Sequence, residues 1–176
     1  MRRGSSFSLM AVTMCFMLAT SLAEAGDFVT VEKSGLDAQP TDNQALVVVV
    51  RPVLMAKVVK FWAFADDQPI GATKGRTFTY ALVDAGAHVF WTKAGNVSAF
   101  ELEVEAGKTY FLEQCTLLGG LKARVRFEPV DEDDGMKAVS ECKLATLTPA
   151  GVQRAKEIAA DELDKAKKKA AKRAQR

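Results

Sequence analysis

The sequence predicts a mainly β protein: an antiparallel β-sandwich of about seven to eight strands, followed by a short helix and a C-terminal helix rich in lysine and alanine. Strand-length apolar runs recur from residue 45 to residue 128, turn residues separate them about every 10 positions, and no helical period appears before residue 130. With 176 residues, 48% of them apolar and 26% charged, the chain suits one globular domain.

The first 25 residues have the pattern of a secretory signal peptide. Two arginines precede an apolar stretch at residues 9–22, and residues 23–25 have the A-x-A form of a cleavage site. An uncleaved anchor is the alternative, and lipidation of Cys15, which lies inside the apolar stretch, stays open. We therefore expect an exported protein of the bacterial periplasm or cell envelope, with residues 1–25 outside the fold.

The rest of the chain divides into three parts. Residues 26–43 are polar without a sustained period, which predicts an extended leader. Residues 44–145 are predicted to form the sandwich domain with its closing short helix, and residues 146–176 a basic helical tail. At the start of the domain, the continuous apolar run at residues 46–50 predicts a strand that is covered on both faces.

The strands that follow are predicted from alternation and from the turns between them. Phe100, Leu102 and Val104 alternate with glutamates, so we expect the apolar set to face the core. The predicted strands are residues 58–65, 69–73, 76–82, 87–93, 97–104, 108–115 and 122–128.

Two helices are predicted after the strands. The acidic run at residues 131–134 suits the first turn of a short helix that ends at Cys142, because negative charge is stabilised at a helix N-terminus. Thr148 is predicted to cap a second helix that has Pro149 in its first position. The apolar stripe of this helix is mostly alanine, so we expect the helix to bury little and to stand partly free of the domain.

Cys115 and Cys142 are a candidate disulfide, because an even pair of cysteines in an exported chain is commonly oxidised. Two cysteines alone do not fix the geometry of a bond, so a pair of free thiols is the alternative.

A turn motif of Asp84, Gly86 and His88 leads into a predicted strand. A second motif of this kind lies at residues 105–111, and the segments 45–52 and 130–142 open and close the domain. Together they resemble a family of small bacterial envelope proteins, many of them lipoproteins, that contain a domain of unknown function. The resemblance covers about residues 44–145, implies a transthyretin-like or immunoglobulin-like sandwich, and supplies no catalytic residues.

The sequence has a single histidine and no catalytic, metal or phosphate-binding motif, so we predict no enzyme activity, no metal and no cofactor. His88 is expected to hydrogen bond to the backbone of its turn. A hydrolase that uses His88 beside Asp84 is the less favoured alternative. The acidic run at residues 131–134 does not match a calcium-binding EF-hand loop, because Gly135 and Cys142 occupy two positions where that loop needs oxygen ligands.

Three leucines occur in one predicted hairpin loop, where polar residues are usual. We expect them to cap the open end of the sandwich, and an apolar contact with a partner or a membrane is the alternative. The leucines are Leu117, Leu118 and Leu121.

Charge is distributed unevenly along the chain. The net charge of +2 gives no reason to predict nucleic-acid binding. Residues 26–164 contain 15 basic and 21 acidic residues, whereas residues 165–176 contain seven basic residues and no acidic one. We predict that these seven contact an anionic membrane surface or another envelope polyanion. They are Lys165, Lys167, Lys168, Lys169, Lys172, Arg173 and Arg176.

These observations predict an exported, non-enzymatic β-sandwich of the bacterial cell envelope that acts as a binding or structural module. Its expected partner is an envelope protein or polyanion. The alternative is a subunit of a larger envelope assembly that pairs through the C-terminal helix.

Overall fold

The computed structural model describes residues 27–117 and 123–175. In these ranges ten strands form two sheets and two helices cover them, so the predicted mainly β sandwich is confirmed. In chain order the elements are β1 (Val29–Glu32), β2 (Gln44–Arg51), β3 (Phe61–Ala65), β4 (Gln68–Thr73), β5 (Thr77–Asp84), β6 (Gly86–Lys93), β7 (Val97–Val104), β8 (Thr109–Leu117), β9 (Arg124–Val130), α1 (Glu132–Ser140), β10 (Lys143–Leu147) and α2 (Pro149–Ala174).

The larger sheet has the strand order β1-β10-β5-β2-β8-β9, and the smaller has the order β4-β3-β6-β7. Most neighbours are antiparallel, but β2 runs parallel to β8 and β10 runs parallel to β5. The strands β1 and β10 were not predicted, and β1 lies inside the interval assigned to an extended leader. Each has only four or five residues, too few for a sustained alternation, and the two pair with Val29 opposite Leu147.

Strand β2 lies inside the larger sheet and carries the continuous apolar run. Val47 and Val49 face the space between the two sheets, whereas Val48 and Val50 face outward toward α1. All four side chains are fully buried. The prediction that this strand is covered on both faces is therefore confirmed.

Three apolar clusters hold together four layers, in the order α1, larger sheet, smaller sheet, α2. Between the sheets Phe100 packs edge-on against Phe127, with ring centroids 5.5 Å apart. On the outer side of the larger sheet, α1 begins after Asp131, whose carboxylate accepts a hydrogen bond from the Asp134 amide at 2.8 Å. The acidic run thus caps a helix, as predicted.

Helix α2 packs along the smaller sheet, so the expectation of a partly free helix is wrong. Its start is as predicted, with Pro149 first and the Thr148 hydroxyl accepting a hydrogen bond from the Gly151 amide at 3.1 Å. The alanines of its stripe lie in one buried cluster with Trp62 and Trp91 of the sheet. Here the sheet supplies the bulky side chains, and the small helix residues allow the close approach that buries them.

The two cysteines are free thiols, which contradicts the predicted disulfide. Cys142 is buried after α1 in the cluster over β2 and β5, whereas Cys115 lies on β8 opposite Arg126 of β9. The thiols are thus held over different strand pairs. Burial raises the pKa of Cys142 to about 11 and also raises the pKa of Cys115. Both thiols therefore stay protonated at neutral pH, a form that is a poor nucleophile.

Candidate functional site

An open groove of about 840 Å³ lies at the end of the sandwich where β2 and β4 finish and β3 and β5 begin. Its walls come from residues 27–31, from the β2–β3 loop (residues 52–60), from residues 74–77 between β4 and β5, and from Lys143 at the start of β10. Four separate parts of the chain therefore meet here. We call this site the basic groove.

Five basic side chains and one carboxylate line the basic groove. Asp27 accepts a hydrogen bond from Lys74 at 2.5 Å and pairs with Lys60 at 3.3 Å. The bond from Lys74 holds the pKa of the Asp27 carboxyl below its ordinary value. Within the described ranges the other three cations have no carboxylate in salt-bridge distance, so the groove keeps a positive excess. They are Lys57, Arg76 and Lys143.

The β2–β3 loop exposes a cluster of apolar side chains. Val58 is 75% exposed and Leu54 is 52% exposed. Val31 of β1, another lining residue of the groove, is also exposed. Single exposed apolar residues are ordinary on protein surfaces, but a contiguous set marks an interaction site. The exposed apolar residues of the loop are Val53, Leu54, Met55, Val58 and Val59.

A buried arginine holds the β2–β3 loop in shape. The guanidinium of Arg51, the last residue of β2, donates hydrogen bonds to the carbonyls of Met55, Ala56 and Val59 at 2.7, 2.9 and 2.8 Å. It also lies over the ring of Phe61, 3.7 Å from the centroid. Burial lowers the pKa of Arg51 to about 10, so it is still protonated at neutral pH.

The bonds of Arg51 connect a buried charge to an exposed surface. Moving a charged group out of water costs several kcal/mol unless hydrogen bonds compensate it. Here the three carbonyls that compensate the charge all belong to a loop whose apolar side chains face solvent. The fold therefore stabilises the shape of a surface that adds little to the core, which suits a site that must be ordered before its ligand arrives.

The turn between β4 and β5 closes against the β2–β3 loop at Gly75. The Gly75 amide donates a hydrogen bond to the Lys57 carbonyl at 3.1 Å, and a Cβ at position 75 would lie 2.8 Å from Lys57 Cβ. This approach requires glycine. The next residue, Arg76, has a φ of +55° and accepts a hydrogen bond from the Lys143 amide at 3.1 Å. Backbone bonds thus fix the spacing of the three unpaired cations.

The turn motif predicted from sequence lies at the other end of β5. The Nε2 atom of His88 is 2.8 Å from the backbone oxygen of Asp84, which confirms the local hydrogen bond. Its Nδ1 atom is 2.7 Å from Oδ2 of Asp66, a partner that the sequence does not indicate. Gly86 has a φ of +136°, a value that favours glycine. Both ring nitrogens of His88 face acceptors, so this arrangement leaves neither free to act as a general base.

Of the three leucines in the predicted hairpin loop, one lies within the described residues. Leu117 ends β8 and is half-buried, whereas Leu118 and Leu121 lie outside the described residues. The contact expected of this loop stays a prediction.

The basic tail, residues 165–176, contributes six described cations to the C-terminal part of α2, and two of them hydrogen bond to the sandwich. Lys165 pairs with Glu162 at 2.9 Å. Lys169 donates to a backbone carbonyl of β7 at 2.7 Å, and Arg173 donates to a backbone carbonyl of β9 at 3.0 Å. Burial lowers the pKa of Lys169. Lys167, Lys168 and Lys172 are exposed, and Arg176 lies outside the described residues.

Sequence reasoning missed the basic groove because its parts are far apart in the chain. One local signal existed: the apolar residues 53–55 follow a proline, and Lys57 and Lys60 are interleaved with two further valines. The strand predicted at residues 58–65 included part of this segment, so the loop was not recognised. In the structure that strand begins only at Phe61, and the preceding valines belong to the loop.

In residues 27–117 and 123–175, no helix has the length and apolar character needed to cross a bilayer. In the same ranges, no three His, Cys, Asp or Glu side chains gather in a way that could hold a metal ion.

Comparison with known proteins supports a relationship rather than a function. No family model matches the chain. The chain is similar to an uncharacterized protein of Haemophilus influenzae, with 29% identity over 120 residues, which is 66% of this chain and 71% of that protein. This similarity brings no ligand or activity to the chain.

Proposed function

We propose that the protein is an exported, non-enzymatic binding module of the bacterial cell envelope and that the basic groove is its binding surface. One observation carries the proposal. The buried guanidinium of Arg51 fixes a loop that presents apolar side chains to solvent, beside three cations without a carboxylate partner among the described residues. Such a surface complements a ligand that carries an anionic group next to an apolar one.

The two halves of this surface select different parts of a ligand. Lys57 lies between Met55 and Val58 in one short loop, so a charged contact and an apolar contact are adjacent. Arg76 and Lys143 add cations from the other wall. The volume of about 840 Å³ is in the range of sites for small molecules, roughly 300–1,000 Å³.

The cellular setting of the proposal comes from the sequence. Residues 1–25 have the signal-peptide pattern, and the related protein belongs to a bacterium. The exposed lysines of α2 are a secondary contact for an envelope polyanion. Assembly through α2 is less well supported, because the apolar stripe of that helix already packs on its own sheet.

The binding part of the proposal is tested by calorimetric titration of the chain that starts at Gly26 with monomeric decyl phosphate. We expect saturable binding, with weaker binding of inorganic phosphate and of neutral decyl maltoside. The double variant Lys57→Gln/Lys143→Gln should lose affinity, whereas Lys167→Gln/Lys168→Gln, with the same change in net charge, should not. Equal affinity in both variants, or no binding by the folded protein, would refute the assignment of the groove.

The export part is tested separately by the intact mass of the protein from its native host. A chain that starts at Gly26 without a lipid is expected. Retention of Met1, or a lipid on Cys15, would contradict the predicted cleavage.

A further inference from the structure

The apolar residues of the β2–β3 loop are more exposed than several polar residues that line the basic groove. Thr77 is 3% exposed, and the side chains of Lys60 and Lys74 are 27% and 24% exposed. In contrast, Leu54 and Val58 on the β2–β3 loop are 52% and 75% exposed. A pocket that encloses a whole ligand buries its apolar lining, whereas the apolar residues of this loop face solvent and are available to enter an apolar phase.

We infer that this end of the sandwich docks on the surface of a bilayer that contains anionic lipid. The apolar side chains of the β2–β3 loop enter the boundary between headgroups and acyl chains, and the cations of the groove bind lipid phosphates. The inference rests on the proposed function, because it uses the same groove and names a lipid bilayer as the source of the anionic, apolar ligand.

The charge of the groove and the position of the apolar residues beside it both favour a lipid surface as the binding partner. Five cations line the groove against one carboxylate, which complements the negative potential of an anionic leaflet. Interfacial segments combine such cations with apolar residues that enter the headgroup region by about 5–10 Å. The loop joins both kinds of residue over residues 53–60.

The loop is also ordered before it meets a bilayer. Arg51 binds three of its carbonyls, and Gly75 packs against its backbone at Lys57. Docking therefore does not have to order this segment, which lowers the entropic cost of binding.

None of the described cations of the basic tail lines this docking surface. At the start of α2 the Thr148 hydroxyl donates a hydrogen bond to the Asp27 carbonyl at 3.0 Å, beside the groove. The helix then runs for 26 residues, about 39 Å, to Ala174. Variants in the groove and in the tail therefore test two separate surfaces.

Sedimentation with sucrose-loaded vesicles tests the inference on the chain that starts at Gly26. Vesicles of phosphatidylcholine that contain about 30 mol% phosphatidylglycerol are compared with vesicles of pure phosphatidylcholine, each at low and at high salt. Lys57→Gln/Lys143→Gln should lower partitioning onto the anionic vesicles by about fivefold for each cation removed. Leu54→Ser/Val58→Ser should also lower it. The matched controls Lys167→Gln/Lys168→Gln and Leu82→Ser, an exposed leucine at the other end of β5, should partition as the parent does.

Insertion of the loop is measured with a tryptophan at its most exposed position. The native Trp62 and Trp91 are buried, so a Val58→Trp side chain supplies the accessible fluorescence. Brominated lipid should quench this fluorescence on anionic vesicles and should not quench the matched variant Leu82→Trp. Equal quenching of both variants, or of neither, overturns insertion of the loop.

The remaining outcomes separate the two proposals. Groove-dependent binding of decyl phosphate without binding to vesicles overturns bilayer docking and leaves the proposed function intact. Vesicle binding that the α2 variant loses and the groove variants keep assigns the membrane contact to the tail and also overturns the inference. If the folded protein binds neither vesicles nor decyl phosphate, both proposals fail.

Discussion

The basic groove and the C-terminal part of α2 are both rich in cations, but they use them differently. The tail holds seven basic residues in the twelve residues 165–176. Lys165, Lys169 and Arg173 are nevertheless committed to a carboxylate or to carbonyls of the domain. The groove collects five cations from distant segments, two of them paired with Asp27, and places the other three beside exposed apolar side chains. The comparison teaches that charge density along a sequence does not measure how much charge a fold leaves for a ligand.

The largest expected effect concerns the arginine beneath the groove. Arg51→Met removes a buried charge and leaves three loop carbonyls without their donor, so the free energy of unfolding should fall by about 3 kcal/mol or more. Urea denaturation measures it. The matched variant Arg76→Met, at an exposed cation of the same groove, should stay within about 0.5 kcal/mol of the parent. If both variants lose a similar, small amount of unfolding free energy, the loop does not depend on Arg51.

The next effect tests whether the tail is part of the domain. Ala166 is fully buried between α2 and the smaller sheet, so Ala166→Leu should overpack the contact and destabilise by about 1–3 kcal/mol. Ala171→Leu, at an exposed position of the same helix, is the control and should be near neutral. If thermal and urea unfolding do not distinguish the two, α2 is less firmly docked than the structure indicates.

A smaller effect separates the tail cations from one another. Arg173 donates to the Phe127 carbonyl and lies over the Phe100 ring, 5.3 Å from its centroid. Arg173→Met should therefore cost about 1 kcal/mol of unfolding free energy, and Lys168→Met, at an exposed lysine, should cost about none. A double-mutant cycle with Phe100→Leu would locate the coupling. Equal values for the two single variants would argue that the whole tail is solvated.

The smallest effect on stability concerns the carboxylate of the groove. The pKa of Asp27 is lowered by Lys74, so the stability from this pair is present at neutral pH and is lost as the pH falls through the lowered value. The pair is exposed and the loss should be slight. Asp27→Asn removes the negative charge at neutral pH and should strengthen binding of decyl phosphate while leaving the melting temperature nearly unchanged. Unchanged or weaker binding would mean that the groove does not act as an anion site.

Parts of the fold could be predicted because their signals are local. The apolar run of β2 and the start of α2 at Thr148 and Pro149 depend on neighbouring residues, and both predictions are confirmed. Strands β1 and β10 are more than a hundred residues apart in the chain, and no local sequence pattern indicates that they pair. The packing of α2 was missed for a related reason, since the bulk that fills the contact belongs to the sheet.

The candidate site was the hardest part to predict. Arg51 follows the apolar run of β2, and nothing in the neighbouring sequence shows that it is fully buried under the loop. The three unpaired cations lie at positions 57, 76 and 143, so their proximity is a property of the tertiary structure. The predicted disulfide is wrong for the same reason, because the number of cysteines gives no information on where each thiol lies in the fold.

The contact between Thr148 and Asp27 has a kinetic consequence for folding. The hydrogen bond from the Thr148 hydroxyl to the Asp27 carbonyl joins residues that are 121 positions apart. Closing so long a loop is slow, since its entropic cost comes before the contacts that repay it. The groove is lined both by Asp27 and by Lys143, which are 116 positions apart in the chain. It is therefore completed late, and a chain whose C-terminal part has not yet folded lacks the complete groove.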